Sequence, residues 1–263
     1  MKDNLVSIIM PCFDSEQFIS TAIDSVIAQT YSNWELLICD DSSSDKSVEI
    51  IRNYVNADKR ISLLFNNHQK GAPGARNTCI ENASGRFLAF LDSDDCWFDD
   101  RLETHLEFIK KNSVAFSYTY NDVINENGEY ISTYKAPSIL NKNTMRFANF
   151  ISCSTAIIDR VLVGDISQPF IKKRNDYALW LKILNSNKIK NAYCFKRSTS
   201  MYRSNSYGLS SNKFDALRYH FLCLNIYAKQ SKFNSIIYVI VYIFLVLLKK
   251  KMTKAYNFFI VRV

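Results

Sequence analysis

Up to about residue 90 the chain alternates short apolar runs with amphipathic segments, and this alternation restricts the fold more than any other feature. Four apolar runs have the length of buried strands, at residues 5–10, 35–39, 61–65 and 87–91. Three helices are predicted between them, at about 16–27 with Ser15 as N-cap, 45–56 and 72–82. Strands and helices in this order, joined by short links, form parallel sheets with right-handed crossovers. We therefore predict an α/β fold, a mostly parallel twisted sheet flanked by helices.

Two acidic clusters directly follow two of these strands, where ligands of open parallel sheets collect. One cluster is 40–45 and the other is 92–95. Three carboxylates within four positions, at 92, 94 and 95, repel one another unless a cation compensates. Oxygen ligands without histidine favour Mg²⁺ or Mn²⁺, which usually complete their shell with substrate phosphates. The structural alternatives are a helix cap for 92–95 and a simple turn for 40–45.

Beyond residue 100 the pattern is looser but readable. The predicted elements are a helix at about 101–111, a strand near 114–120, a hairpin around 126–129, a strand at 155–158 and a helix at 176–187.

Charge divides the chain in two. Residues 1–170 have a net charge of −8 and residues 171–263 one of +16. The acidic part is suited to a cation, and the basic part to an anionic surface, either phospholipid or nucleic acid.

The basic part contains an unbroken apolar run at 236–248, followed by lysines at 249–251. This run is shorter than the ~20 residues that a helix needs to span a bilayer. We predict a helix lying on an anionic membrane surface. A buried core helix and a spanning or re-entrant segment are the alternatives.

The seven cysteines are scattered and show no CxxC pair, which predicts reduced, buried thiols and a cytosolic protein. The N-terminal residues are predicted to be neither a signal peptide nor a spanning helix.

Five segments in order resemble the family 2 glycosyltransferases. They are residues 6–14, 29–36, 40–45, 74–77 and 85–95. The resemblance implies a GT-A domain, placed at 1–220, with a membrane-associating helical segment at 221–263. It also implies a hexosyltransferase that uses a nucleoside-diphosphate sugar, UDP favoured, and inverts the anomeric carbon.

The same resemblance assigns a nucleotide pocket. Asp41 matches the residue that holds the base, and Pro11, Phe13 and Asp14 line the pocket. The chain departs from the commonest pattern at Ser43, where the turn usually has glycine.

For the diphosphate end of the donor, Arg76 matches a basic residue on the donor side. Asp92 and Asp94 match the family's DxD pair. Asp94 is expected to bind the metal, Mn²⁺ or Mg²⁺, and Asp92 the ribose or a metal-bound water.

Residues 174–181 are similar to the family's stretch that contains the catalytic base, which here is Asp176. Asn175 replaces the usual glutamate. Asp176 as the N-cap of its own helix is the alternative. Arg203 is predicted on a polar loop that closes over the donor diphosphate, with a plain surface arginine as the alternative.

Residues 151–160, 202–203 and 209–213 resemble a subgroup that acts in bacterial surface polysaccharide synthesis, such as O-antigen or capsule. The subgroup implies an enzyme on the inner face of the plasma membrane that adds one sugar to a polyprenyl-diphosphate-linked glycan. The absence of a Gln-x-x-Arg-Trp stretch argues against a processive synthase.

Two other functions are compatible with parts of the sequence. A nucleotidyltransferase would normally have a Gly-rich loop within residues 1–30, and none is present. A non-enzymatic membrane or nucleic-acid adaptor leaves the 92–95 cluster unexplained, so nucleic acid is not an expected partner.

Overall fold

The computed structural model describes residues 2–204 and 213–260, with the backbone alone at 213 and 249–260. Its first part folds as the predicted alternation. The elements are β1 Lys2–Cys12, α1 Ile19–Ile27, β2 Trp34–Asp40, α2 Ser47–Ala57, β3 Ile61–Phe65, α3 Ala72–Asn82 and β4 Gly85–Phe90.

The second part adds strands, helices and short turns. Its strands are β5 Cys96–Trp97, β6 Phe116–Ile124, β7 Tyr130–Tyr134, β8 Ile139–Asn141, β9 Ile157–Asp159 and β10 Asn191–Arg203. Its α-helices are α4 Arg101–Asn112, α5 Arg160–Val163, α6 Asn175–Asn185, α7 Lys213–Leu222 and α8 Lys232–Ile260. Two 3₁₀ turns lie at Thr144–Arg146 and Cys153–Thr155, and a π-helix at Cys223–Tyr227 follows α7.

The strands of the described residues form one sheet in the order β3-β2-β1-β4-β9-β6-β10-β5, with β7 beside β6 and β8 beside β10. The pairs β3–β2, β2–β1 and β1–β4 are parallel, as predicted. β9 is antiparallel to both β4 and β6, which makes the sheet mixed beyond β4. Because β2, β1 and β4 run in one direction, the segments that follow them meet at one edge of the sheet.

The predicted N-cap at Ser15 is wrong, since α1 begins at Ile19 and has no side-chain cap. The Ser15 hydroxyl is engaged elsewhere: it lies 2.7 Å from the Ser93 hydroxyl and donates to the Phe13 carbonyl at 3.2 Å. Ser15 thus joins the segment after β1 to the acidic segment after β4.

Aromatic packing fixes α6 against the sheet. The Trp180 ring lies edge-on to Phe90, with centroids 5.6 Å apart, and 5.1 Å from Phe116. All three side chains are buried. Burial of each such ring contributes roughly 1.5–3 kcal/mol, so the start of α6 has little freedom relative to the end of β4.

Over residues 232–248, where its side chains are described, the C-terminal helix α8 rests on the body of the protein by one side. Ser235 on this side is fully buried, and Tyr238 packs edge-on against Phe147 at 5.3 Å. Four large apolar side chains on α8 are at least 60% exposed, namely Phe233, Ile240, Phe244 and Leu247. The buried core helix considered for 236–248 is therefore wrong.

None of the helices in the described residues combines the length and the apolar character that a membrane crossing requires. The predicted domain boundary at 220/221 falls inside α7 and stays a prediction. All seven cysteines are buried and unpaired, which confirms the prediction of reduced, buried thiols.

Candidate active site

Asp41 follows β2 directly and is buried, and its carboxylate is held by the segment between β3 and α3. One oxygen accepts from Asn66 Nδ2 at 2.5 Å and the other from the Gly71 N–H at 2.7 Å. This segment closes tightly on α3, because a Cβ at Gly74 would lie 2.1 Å from the Gln69 carbonyl oxygen. The backbone therefore fixes the orientation of Asp41, while its contact with a base stays a prediction.

The residues predicted to line the nucleotide pocket lie beside this carboxylate at the end of β1. Pro11 is partly exposed, and the Phe13 ring is 49% exposed with Lys70 Nζ 4.8 Å from its centroid. Asp14 accepts from the Ser44 N–H at 2.7 Å, which ties the segment after β1 to the segment after β2. An exposed aromatic face among fixed carboxylates is suited to stacking a base.

The turn at 40–45 is closed by Asp40, whose carboxylate accepts from the N–H groups of Ser42 and Ser43 at 3.1 and 3.2 Å. Ser43 stands where the family usually has glycine, and its hydroxyl accepts from the Asp14 N–H at 3.0 Å. The positive φ of this turn, 70°, lies at Ser42. Asp40 thus stabilises the turn, whereas the Asp41 carboxylate takes no part in it and lies at the candidate site.

The three carboxylates after β4 have different partners. Asp95 is buried and accepts from the Ser154 hydroxyl at 2.5 Å and from the Arg203 N–H at 2.9 Å. Asp92 is 32% exposed and pairs with Arg76 Nη2 at 2.5 Å. The helix-cap alternative for this cluster is wrong, because α4 has Asp100 at its N-cap and no side-chain cap bond.

Asp94, the third carboxylate of this cluster, is partly accessible. Burial, with a further contribution from the charge of Asp92, raises the pKa of Asp94 to about 6. No three His, Cys, Asp or Glu side chains in the described part of the chain converge as metal ligands. An ion that is held by one or two carboxylates and by phosphates needs no third protein ligand, and a cation would relieve the repulsion between Asp92 and Asp94. These two residues therefore fit a Mn²⁺ or Mg²⁺ ion.

This pKa predicts how stability depends on pH in the absence of metal. A carboxyl whose pKa rises on folding from 3.8 to about 6 binds its proton more tightly in the folded state. The contribution of this carboxyl to the free energy of unfolding is at most about 3 kcal/mol. It is present at low pH and is lost as pH rises through about 6. In urea unfolding, the stability of Asp94→Asn relative to the wild type should increase by about 1–3 kcal/mol from pH 4 to pH 7. An equal difference in stability between the two proteins at pH 4 and pH 7 would contradict the raised pKa of Asp94.

Asp176 lies in the first turn of α6, one residue after the helix begins at Asn175, so it is not the N-cap. Its Oδ2 accepts from Asn149 Nδ2 at 2.7 Å. Burial raises the pKa of Asp176, although its backbone and Asn149 hydrogen bonds and the charge of Arg76 act in the opposite direction. A carboxylate with a raised pKa is a stronger base than an ordinary one.

Arg76 connects the acidic segment to this helix. Its Nη1 donates to Asn175 Oδ1 at 2.6 Å and its Nη2 to Asp92 Oδ1. Arg76 is buried in α3, whose preceding residue Gly71 contacts Asp41. Five residues of helix span about 8 Å, so the two acidic clusters flank one short stretch of α3. Asp41, Asp92 and the start of α6 thus surround one site.

The prediction that Arg203 lies on a loop is wrong. Arg203 is the last residue of β10 and pairs with Ile124 of β6. Its side chain is buried and donates to the carbonyls of Asp94 at 3.0 Å and Glu126 at 3.0 Å. The strand pairs with β6 up to this residue, and the carboxylate of Asp95 accepts the Arg203 N–H. Arg203 holds the backbone that carries Asp94, and its contact with the diphosphate stays a prediction. Of the matching segment 209–213, residues 209–212 lie outside the described residues.

Two residues of the site carry no assignment from the sequence. Asn149 binds Asp176 across 27 positions, and nothing in its own neighbourhood points to that contact. Ser154, within the segment 151–160 that resembles the polysaccharide subgroup, joins Asp95 to the N–H of Asp92. Only the resemblance of that segment could have drawn attention to Ser154.

Comparisons with known proteins show the family and the fold. The model of the family "Glycosyl transferase family 2" matches residues 7–166. The chain is 44% identical, over 83% of its length and 84% of the relative, to the UDP-Glc:alpha-D-GlcNAc-diphosphoundecaprenol beta-1,3-glucosyltransferase WfgD of Escherichia coli.

Two solved structures share the fold. TarS of S. aureus in complex with UDP-GlcNAc has a TM-score of 0.66 at 18% identity, over 92% of this chain and 72% of TarS. The mannosyltransferase PcManGT from Pyrobaculum calidifontis, in complex with GDP-Man and Mn²⁺, has a TM-score of 0.65 at 15% identity, over 92% and 70%. The fold class predicted from the sequence, GT-A, is confirmed. Given a family match over more than half its length and a relative at this level of identity, the chain belongs to glycosyl transferase family 2, and it is an enzyme of that family.

Proposed function

We propose that this protein transfers one glucose from UDP-glucose to a hydroxyl of an N-acetylglucosamine carried on a polyprenyl diphosphate, in bacterial surface polysaccharide synthesis. The donor and acceptor are those in the name of WfgD, the relative at 44% identity. The structural observation that carries the proposal is Arg76, which joins Asp92 to the start of the helix that bears Asp176. A donor-binding carboxylate and a base are thereby held in one site.

Asp176 acts as the general base in this proposal. Its carboxylate takes the proton of the acceptor hydroxyl while that oxygen attacks the anomeric carbon. The bond from the anomeric carbon to the diphosphate breaks, and UDP leaves from the opposite face. One displacement of this kind inverts the anomeric carbon. Asn149 holds the carboxylate in place for the attack, because it donates to Oδ2.

Asp94 and Asp92 would hold a Mn²⁺ or Mg²⁺ ion, which supplies stabilisation of the negative charge that grows on the leaving diphosphate. The Mn²⁺ in the PcManGT structure supports this assignment. Arg76 keeps Asp92 in its position, and Arg203 keeps the backbone of Asp94 in its position. The chain thus fixes the Asp92 carboxylate and the backbone of Asp94 before any ligand is present, which lowers the cost of binding.

The uracil is assigned to the pocket beside Asp41. A carboxylate offers about four acceptor positions, and Asn66 and Gly71 use two of them. A remaining position accepts the uracil N–H, and the exposed Phe13 ring provides a face for stacking. Pro11 and Asp14 complete the pocket in this assignment.

The acceptor lipid explains the basic C-terminal part. Residues 171–263 have a net charge of +16, and α8 turns exposed apolar side chains away from the body. An anionic bilayer complements both features, with the apolar face of α8 at the level of the headgroups. We place the enzyme on the cytoplasmic face of the plasma membrane, where it meets its acceptor in two dimensions.

Binding of UDP-glucose should require both Mn²⁺ and Asp94. Ligand that binds only the folded state at 100 times its Kd stabilises by about 2.7 kcal/mol, so the thermal midpoint rises by several degrees. The wild type should show this rise with UDP-glucose and Mn²⁺ together, and Asp94→Ala should lose most of it. Asp165→Ala removes an exposed carboxylate that pairs with Lys182, and it should behave like the wild type.

The products of the reaction separate this proposal from a nucleotidyltransferase. A glycosyl transfer releases UDP, whereas a nucleotidyl transfer to a sugar phosphate releases inorganic diphosphate. Release of diphosphate, or a full thermal shift with Asp94→Ala, would count against the proposed function.

A further inference from the structure

Arg174, which immediately precedes α6, is held in an uncommon conformation by the C-terminal helices. Its φ of 58° lies in the left-handed region, which residues with a Cβ rarely adopt. Its Nη2 donates to the Tyr242 hydroxyl at 2.9 Å, and its Nη1 lies 3.3 Å from His220 Nδ1. Arg174 is two residues from Asp176, so α7 and α8 contact the chain just before the proposed base.

Tyr177, the residue on the other side of Asp176, is part of a stack of three rings. His220 is fully buried between Tyr177 and Tyr242, with centroids 5.2 and 4.6 Å away and the rings inclined by 12° and 17°. Burial and the charge of Arg174 lower the pKa of His220 to about 3. The ring is therefore neutral, and its Nδ1 accepts from Arg174. Tyr177 follows Asp176 directly in the first turn of α6.

A second contact of α8 leads to the same carboxylate. Tyr238 packs edge-on against Phe147, with centroids 5.3 Å apart. Phe147 lies two residues before Asn149, which donates to Asp176 Oδ2 at 2.7 Å. Tyr238 and Tyr242 are four residues apart and share one face of α8. That face contacts both of the segments that fix Asp176.

Within residues 232–248, another side of α8 is turned outward, with Ile240, Phe244 and Leu247 each 60% exposed. The bilayer proposed above would cover this surface. α8 would then have the membrane on one side and the residues around the proposed base on the other. A change in the position of α8 would therefore displace its contacts with Arg174, Tyr177 and Phe147.

We propose that Tyr242, His220 and Arg174 are positioning residues. Through them, the position of α8 on a bilayer determines the orientation of the Asp176 carboxylate. This inference rests on the proposed function, and it adds that membrane contact governs turnover. Donor affinity should change less than turnover, because the path from Arg174 to Asp92 runs through Asn175 and Arg76 and is longer than the path to Asp176.

The test compares Tyr242→Phe and Tyr242→Ala in the full chain, with lipid-linked acceptor in vesicles that contain anionic phospholipid. Tyr242→Phe keeps the ring stack and removes the bond to Arg174, so kcat should fall about fivefold, the equivalent of one hydrogen bond. Tyr242→Ala also removes the stack and should lower kcat by more than about tenfold. The Kd for UDP-glucose, measured by calorimetry, should stay within about twofold for both.

The control is Tyr54→Phe, which removes a tyrosine hydroxyl that donates to Asp24 at 2.8 Å on the far helices α1 and α2. It should leave kcat and Kd unchanged. A kcat within about twofold of the wild type for both Tyr242 variants would overturn the proposal, as would a loss of donor affinity in proportion to kcat.

Hydrogen exchange gives a readout that does not depend on activity. Anionic vesicles should slow amide exchange at residues 147–149 and 174–178 in the wild type and have little effect in Tyr242→Ala. Equal exchange with and without vesicles in the wild type would also overturn the link. Should the wild type transfer no sugar, the proposed function fails, while the exchange data still decide whether α8 is coupled to α6.

Discussion

Asp176→Asn is expected to lower the rate of glucose transfer by about 10²–10⁴-fold, which is the contribution of a positioned general base. The amide keeps the shape of the side chain, and its oxygen still accepts from Asn149. It cannot take the proton of the acceptor hydroxyl. Because the loss is confined to the transition state, kcat falls while the Kd for UDP-glucose stays within about twofold.

Asn149→Ala provides a matched comparison. It leaves the base itself intact and removes the donor that holds Oδ2. We expect a smaller fall in kcat, about 5–20-fold, from a carboxylate that keeps its backbone hydrogen bond but is held less firmly. Initial rates at saturating donor and acceptor distinguish the two variants. Wild-type rates from Asp176→Asn would refute the role of Asp176.

Arg76→Met is expected to destabilise the fold by about 3 kcal/mol and to abolish donor binding. The change leaves Asn175 Oδ1 and the Asp92 carboxylate without their buried donor. Removing one partner of a buried ion pair costs about 3–5 kcal/mol. The lower end applies here, because the Asp92 side chain is 32% exposed and water screens part of the loss.

A double-mutant cycle measures the pair directly. Asp92→Asn removes the charge that Arg76→Met leaves unpaired, so the double variant should be more stable than the sum of the two single changes predicts. Arg76→Lys keeps a positive charge but not the fork that reaches two acceptors, and it should rescue stability only in part. Urea unfolding gives the stabilities and calorimetry the donor affinity. An Arg76→Met variant with wild-type stability and affinity would contradict the bridging role.

The first half of the fold could be predicted because each strand there is a compact apolar run with a clear end. β3 was predicted with the bounds that the structure has, and α3 likewise. β1 is longer than its apolar run and begins at Lys2, since backbone pairing extends past the last buried side chain. Periodicity reports burial, and hydrogen bonding determines where a strand ends.

β10 shows where sequence patterns fail. Its middle contains Lys196, Arg197 and three hydroxyl residues at 198–200, and no alternation of apolar residues marks this stretch as a strand. It forms because β6 and β5 lie on either side of it and because Asp95 accepts the N–H of its last residue. Arg203 was therefore predicted on a loop.

The site divides in the same way. The clusters after β2 and β4 could be recognised because they occupy short, contiguous stretches of chain. The differences within the 92–95 cluster could not, because they depend on Arg76, Ser154 and Arg203, which come from other parts of the chain. The distinction between a structural Asp95 and an Asp94 that is proposed to bind the metal arises only from tertiary contacts.

The buried state of all seven thiols has a practical consequence for studying this enzyme. A maleimide reagent finds no native sulfur at the surface, so no cysteine-free background has to be built first. A single cysteine placed at Phe233, whose side chain is 73% exposed, would carry one fluorescent label. Quenchers at known depths in the lipid would then report how far the start of α8 enters the headgroup layer.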